Sequence, residues 1–144
     1  MPLGEITFTV NAPIASTWTL LSDMEKVAAC TPNVESVRVI DGSKSEWTLK
    51  VKVGPLSRKI VLLNETVNSN PPTHAEFKGT GENILVLGQI DLKELSPETT
   101  EVMYKINSQA SGSLKSVMEN VIKSRLPSEM EEFKSRVKQR LEQK

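Results

Sequence analysis

The side chains able to do chemistry in this sequence are few and scattered. His74 is the only histidine, and it stands beside the stretch Asn68-Ser69-Asn70-Pro71-Pro72. A general base needs a second group to orient it, and no partner for His74 is visible along the chain, so a solvent-facing loop histidine is expected. Cys30 is the only cysteine. No internal disulfide can form, and one cysteine with one histidine makes neither a zinc cluster nor a redox pair. At the end of a short helix, Cys30 reads as a small buried apolar group rather than a reactive thiol. No Gly-x-Ser-x-Gly string supports a serine nucleophile, and Gly79-Thr80-Gly81 lacks the Lys-Ser and the following helix of a phosphate loop. Glu46, Glu76, Glu82 and Glu101 fall mainly on the polar sides of strands or in turns, which is a solvated face rather than a metal cluster. No catalytic group, metal site or cofactor is therefore expected. Tyr104 stands apart, because it shares a strand face with Val102 and Ile106. A phenol on an apolar wall can orient a carbonyl or hydroxyl.

The elements that must position these residues are well punctuated. Ile6, Phe8 and Val10 alternate with Thr7 and Thr9, which predicts a half-buried strand over Leu3 to Val10. Pro13 suits the first turn of a helix reaching about Leu21, with Ile14, Trp18 and Leu21 on its inner side. Asp23 is placed to cap a second short helix, Met24 to about Cys30, which Pro32 ends. From Val34 the chain reads as strand after strand. Asp41-Gly42 predicts the positive-φ residues of a tight hairpin. Trp47, Leu49, Val51 and Val53 then share one face opposite Glu46, Thr48, Lys50 and Lys52. Gly54-Pro55 turns the chain into a strand over Arg58 to Val67, whose inner face stays open because Ile60 to Leu63 are all apolar. Asn68 to Pro72 reads as a loop before Ala75, Phe77 and Gly79 alternate with Glu76 and Lys78. Asn83 to Leu92 and Thr99 to Ser108 complete the set around a Ser96-Pro97 turn. Short turns between consecutive strands require antiparallel pairing.

The end of the chain changes period. Leu114, Val117, Met118, Val121, Ile122, Leu126, Met130, Phe133, Val137 and Leu141 recur in helical steps from about Ser113 to Lys144. One long amphipathic helix must lay this stripe on the sheet. Pro127 cannot donate to the carbonyl of Lys123, so a kink is expected there, with Ser128 and Glu131 placed as a capping box for a restart. Pro127 then serves either to let the helix follow a curved sheet or as a hinge by which Met130 and Phe133 open a cavity mouth. The basic run Lys134, Arg136, Lys138, Arg140 and Lys144 reads as a solvated face that complements the helix dipole.

The chain has 144 residues, which predicts one domain over 1–144. Eighteen basic and eighteen acidic residues give zero formal net charge, which provides no field to gather nucleic acid. Met1 to Val10 lacks the features of a secretory signal, and no apolar run approaches the ~20 residues of a membrane span. A cytoplasmic protein is expected.

Several strings carry a resemblance: "FTVNAPIASTWTLLSDMEKVAACTPN", "KVKVGP", the "NPP" loop, "FKGTG" and "TTEVMYKINSQASG". Together they resemble the carbon monoxide dehydrogenase subunit (CoxG) family of the SRPBCC superfamily, the START and Bet v 1-like helix-grip proteins. Trp18, Asp23, Pro32, Gly54, Pro55, Gly79, Gly81 and Tyr104 fall on the family's pattern positions. The family usually reads Ile-Pro-Gly where this chain has Thr31-Pro32-Asn33, and asparagine tolerates the positive φ that glycine would supply. The resemblance implies an α+β helix-grip fold: a seven-stranded curved antiparallel sheet, two short helices after the first strand, and a long C-terminal helix, kinked near Pro127, enclosing a cavity. It also implies work alongside a molybdenum-containing carbon monoxide dehydrogenase or related hydroxylase. Roles proposed for the family are handling a quinone-like electron acceptor and helping the enzyme reach the membrane. Peripheral membrane association is compatible with this reading.

Within such a cavity the expected lining is Phe8, Trp47, Leu49, Val51, Phe77, Val102 and Tyr104 from the sheet, with Val117, Met118, Val121 and Met130 from the helix. These residues point to a non-catalytic module that holds a hydrophobic small molecule, quinone- or lipid-like, and docks on a redox enzyme. Two alternatives stay open. One is a cyclase or aromatase-like enzyme of the same superfamily, and the other is a filled core that acts only through its surface.

Overall fold

The computed structural model describes residues 3–53, 55–113 and 115–142. The expected Gly54 turn, Leu114 and Lys144 lie outside them. The described chain forms β1 (Leu3–Val10), α1 (Ile14–Leu21), α2 (Met24–Cys30), β2 (Val34–Val39), β3 (Lys44–Val53), β4 (Leu56–Asn70), β5 (His74–Gly81), β6 (Ile84–Ser96), β7 (Thr99–Ala110) and α3 (Lys115–Glu142). The strands make one seven-stranded sheet in the order β1-β7-β6-β5-β4-β3-β2, with every neighbouring pair antiparallel. The first strand is thus paired with the last, and the long helix that follows is brought back over the sheet.

Local chemistry accounts for most element ends. Asp23 accepts from the backbone N–H groups of Glu25 and Lys26 at 3.0 and 3.3 Å, satisfying two donors that a helix start leaves orphaned. Asn33 adopts φ 69° after Pro32, the left-handed turn that the Thr31-Pro32-Asn33 string permits. The Asp41-Gly42 turn differs from expectation. Gly42 does not have positive φ, and a four-residue connection, Ile40 to Ser43, replaces the tight hairpin. Asp41 Oδ1 accepts from the backbone N–H groups of Ser43 and Lys44 at 2.8 and 3.0 Å, so its side chain makes the turn that a two-residue backbone would have made.

β4 is longer than its sequence pattern. Asn68 to Asn70, expected as loop, continue the strand by pairing with Glu76, Ala75 and His74 beyond a bulge at Thr66/Asn68. β4 also resolves the open face. Trp47 pairs Leu62 and Leu49 pairs Ile60 on the concave side, leaving Val61 and Leu63 on the convex side at 50% and 36% exposure.

α3 runs unbroken through Pro127. No fresh N-terminus forms there, because the Ser128 hydroxyl donates back to the Arg125 carbonyl at 3.1 Å instead of capping. Leu126, Met130, Phe133 and Val137, spaced by four, three and four, are its buried stripe. The C-terminal half is also pinned by polar contacts. Lys138 Nζ donates to the Thr9 carbonyl at 2.9 Å, and Glu142 Oε2 accepts from the Asn11 N–H at 2.8 Å. Phe133 and Val137 meet Phe8, Val10, Leu20, Leu21, Ile90, Leu92 and Val102 in a solid core at this end of the sheet. Cys30 is fully buried in the same cluster, and its burial raises the thiol pKa. It is an unreactive packing group.

Candidate functional site

Away from that core the concave face and α3 separate, and an apolar cavity of about 190 Å³ opens between them. The sheet supplies Trp47, Leu49 and Val51 from β3, Ile60, Leu62 and Asn64 from β4, Phe77 and Gly79 from β5, Ile84, Val86 and Gly88 from β6, and Tyr104, Ile106 and Ser108 from β7. α3 covers them with Met118, Val121, Ile122, Arg125, Leu126, Glu129, Met130 and Phe133. Met24, Val27 and Thr31 to Asn33 close one side.

Eight of the expected lining residues come together here: Trp47, Leu49, Val51, Phe77, Tyr104, Met118, Val121 and Met130. Three do not. Phe8 and Val102 have the inward orientation but pair with each other at the core end of the sheet, where α1 and the last turns of α3 fill the space. Val117 points off the stripe and is 46% exposed. The residues that sequence reasoning missed come mostly from β4, β6 and the α2–β2 connection. β4 and β6 lack clean alternation, so their periodicity carried no usable signal. Gly88 has a positional reason: a Cβ there would lie 3.0 Å from Phe77 Cδ2, so its absence leaves the ring room to reach the cavity wall.

Polar groups in the lining are sparse and mostly committed. Trp47 Nε1 donates to Ser45 Oγ at 2.8 Å, which satisfies the indole and leaves its ring as apolar surface. Asn64 Nδ2 is turned to Met24 Sδ at 3.1 Å. Tyr104 stacks on Phe133 with ring centroids 4.5 Å apart and planes inclined by 30°. Burial pushes its phenol pKa up to about 12. The hydroxyl therefore keeps its proton at neutral pH, and no hydrogen bond to it is formed among the described residues. It is a free donor for a guest carbonyl.

His74 corrects the expectation of an unpartnered loop residue. It begins β5 on the convex face, opposite the cavity-lining Phe77, with Asp91 Oδ1 2.6 Å from Nδ1 and Glu76 Oε2 3.0 Å from Nε2. Gln89 donates to Asp91 and Asn68 to Glu76, completing the cluster. Hydrogen bonds to Asp91 and then Glu76 raise the His74 pKa. Burial of Asp91 opposes ionisation, but its bonds from His74 and Gln89 and the nearby Lys105 charge bring its pKa down. Bonds from Asn68 and His74 lower Glu76. A raised histidine value stabilises the fold fully below the unfolded value near pH 6.5, and this is lost as pH rises through the folded value. The lowered carboxylates contribute above about pH 4 and lose that contribution on acidification. The melting-temperature difference between wild type and His74→Gln is therefore expected to be greatest between about pH 5 and 6.5 and to shrink by about pH 9. A difference that grows toward pH 9 in a fluorimetric pH series would rule out the bridging imidazolium.

The basic run of α3 is largely paired. Lys134 meets Glu131 at 3.7 Å, Arg136 meets Glu132 at 2.9 Å, and Lys138 meets Glu142 at 3.4 Å. No group of three or more metal-ligating side chains occurs among the described residues. No described helix is long and apolar enough to cross a membrane.

A family model described as a carbon monoxide dehydrogenase subunit (CoxG) matches residues 7–142. No curated protein matches the chain. Among solved structures, a conserved protein from Geobacillus kaustophilus superposes with a TM-score of 0.79 at 17% identity, over 97% of this chain and 95% of its own. A START superfamily protein from Mycobacterium smegmatis gives 0.75 at 15% identity, over 98% and 97%. The ZhuI aromatase/cyclase from a Streptomyces species gives 0.65 at 17% identity, over 96% and 94%. At these identities the likeness is one of fold, the START-like helix-grip arrangement.

Proposed function

The chain belongs to the carbon monoxide dehydrogenase subunit (CoxG) family of the SRPBCC superfamily, and from that membership we propose a non-catalytic carrier that holds a quinone- or lipid-like molecule in its cavity. In this reading it works in the cytoplasm beside a molybdenum-containing carbon monoxide dehydrogenase-type enzyme, with peripheral contact to the membrane as the source or destination of its cargo. The observation that carries the proposal is the apolar cavity of about 190 Å³ whose one uncommitted donor is the Tyr104 hydroxyl. A guest burying about 300 Å² of apolar surface gains about 7 kcal/mol before ordering costs, which corresponds to dissociation constants in the micromolar range.

A cyclase-type reaction needs an acid and a base poised at one substrate. The histidine lies on the opposite face of the sheet, and the Tyr104 proton is held too tightly for base chemistry at neutral pH. These two facts favour carriage over catalysis.

Native mass spectrometry of freshly purified protein, followed by organic extraction, tests the proposal. The expected result is a retained apolar compound, or micromolar binding of an added quinone that weakens about 5- to 10-fold in Tyr104→Phe through loss of one hydrogen bond. A protein that is isolated empty and binds no quinone would overturn it, and turnover that depends on Tyr104 would replace it with the enzyme reading.

A further inference from the structure

The cavity has a second polar point that the carrier reading does not use. Among the described lining residues only Asn33 is exposed, which places the opening between the α2–β2 connection and α3. There the Asn33 side-chain amide donates to Glu129 Oε2 across the gap. Asn33 is rigidly presented, because its φ is 69° and its carbonyl accepts from the Lys50 N–H at 2.9 Å. Glu129 is half-buried on the apolar rim, one turn beyond Arg125 on the same helix, and both line the cavity. Burial raises the Glu129 pKa, with the Arg125 charge opposing that rise. The carboxylate thus has one neutral donor and one nearby cation in a place where water is scarce. A desolvated carboxylate gains strongly from any further donor that arrives with a ligand.

We propose that Glu129, held by Asn33 and balanced by Arg125, forms a head-group subsite at the mouth, where the guest ends in a neutral hydroxyl that donates to Glu129 in place of the Asn33 amide. The inference rests on the carrier reading and specifies the chemistry of its cargo. Charge makes the head group neutral: Arg125 and Glu129 compensate one another, so an anionic head would face the Glu129 carboxylate with no cation left for it. An apolar body, a hydroxyl at the mouth and an acceptor within reach of Tyr104 define the molecule that leaves no polar group of the site unmatched.

Naphthalene, 1-naphthol and 1-naphthoic acid share one two-ring body and differ in the head group. Their size suits the site, since an apolar cavity of about 150 Å³ admits benzene and this one is about 190 Å³. In calorimetric titrations of the intact protein, 1-naphthol is expected to bind about tenfold tighter than naphthalene, and 1-naphthoic acid more weakly than either. Glu129→Ala should erase the naphthol margin, and Glu129→Gln should reduce it. Asn33→Gly, which keeps the positive φ but removes the competing amide, should widen it. Tyr104→Phe should leave it in place. If naphthalene binds but the margin is absent, survives both Glu129 variants, is lost only in Tyr104→Phe, or fails to widen in Asn33→Gly, the subsite is wrong and the carrier reading stands. Tightest binding by the acid overturns the neutral head group. Failure of all three probes overturns carriage and subsite together.

Discussion

Phe133→Ala is expected to cost about 3–5 kcal/mol of folding stability, the range for deleting a buried aromatic ring from a packed site. Phe133 is 2% exposed and belongs both to the solid core and to the cavity wall, where it stacks on Tyr104. Its removal joins a new void to the existing one, so collapse from either side is hindered and the cost falls in the upper part of the range. Urea unfolding followed through tryptophan fluorescence measures it, and a melting shift of about 2–4 °C per kcal/mol provides a second reading. The enlarged cavity has a further consequence. Naphthalene should restore more of the melting temperature in the variant than it adds to the wild type, because it occupies the space the ring left. A loss below about 1 kcal/mol would mean that the ring is not the partition between core and cavity.

Val121→Trp is expected to weaken apolar ligands at least about 100-fold while leaving the fold intact. Val121 lines the cavity from the middle of the helix half that is only half-buried, and an indole there occupies the guest's place. Because it fills empty space rather than displacing core, the melting temperature should hold or rise, as for other cavity-filling substitutions of about 0.5–2 kcal/mol. Opposite signs for affinity and stability separate an internal site from a surface one. A variant that binds quinone normally and melts as wild type does would place the ligand elsewhere.

Much of this architecture is legible in the amino acids. The alternation around Trp47, Leu49 and Val51, the Asp23 cap, the left-handed Asn33 and the period of the last helix all follow from local rules that their neighbours do not contradict. Other positions are opaque for equally physical reasons. Ile60 to Leu63 present apolar groups to both faces, and the sheet leaves Val61, Leu63 and Leu87 exposed on its convex side, so hydrophobicity alone assigns no direction. The partner of His74 lies 17 residues away on β6, reached only through the β5–β6 register that pairs His74 with Asp91.

By itself the sequence determined which way the side chains of β1, β3, β5 and β7 face and that a long helix must cover the concave side, because periods of two and 3.6 residues are properties of the local backbone. Only the tertiary structure decided where along those strands the interior is solid and where it is hollow. Phe8 and Val102 face inward like Trp47 and Tyr104 yet belong to the core, since the depth beneath a side chain is set by how far the opposing layer stands off. The same holds for Glu129 at the rim. Its helical position fixes its direction, while the desolvation, the Arg125 charge and the Asn33 amide that give it a role arise from packing between segments 96 residues apart.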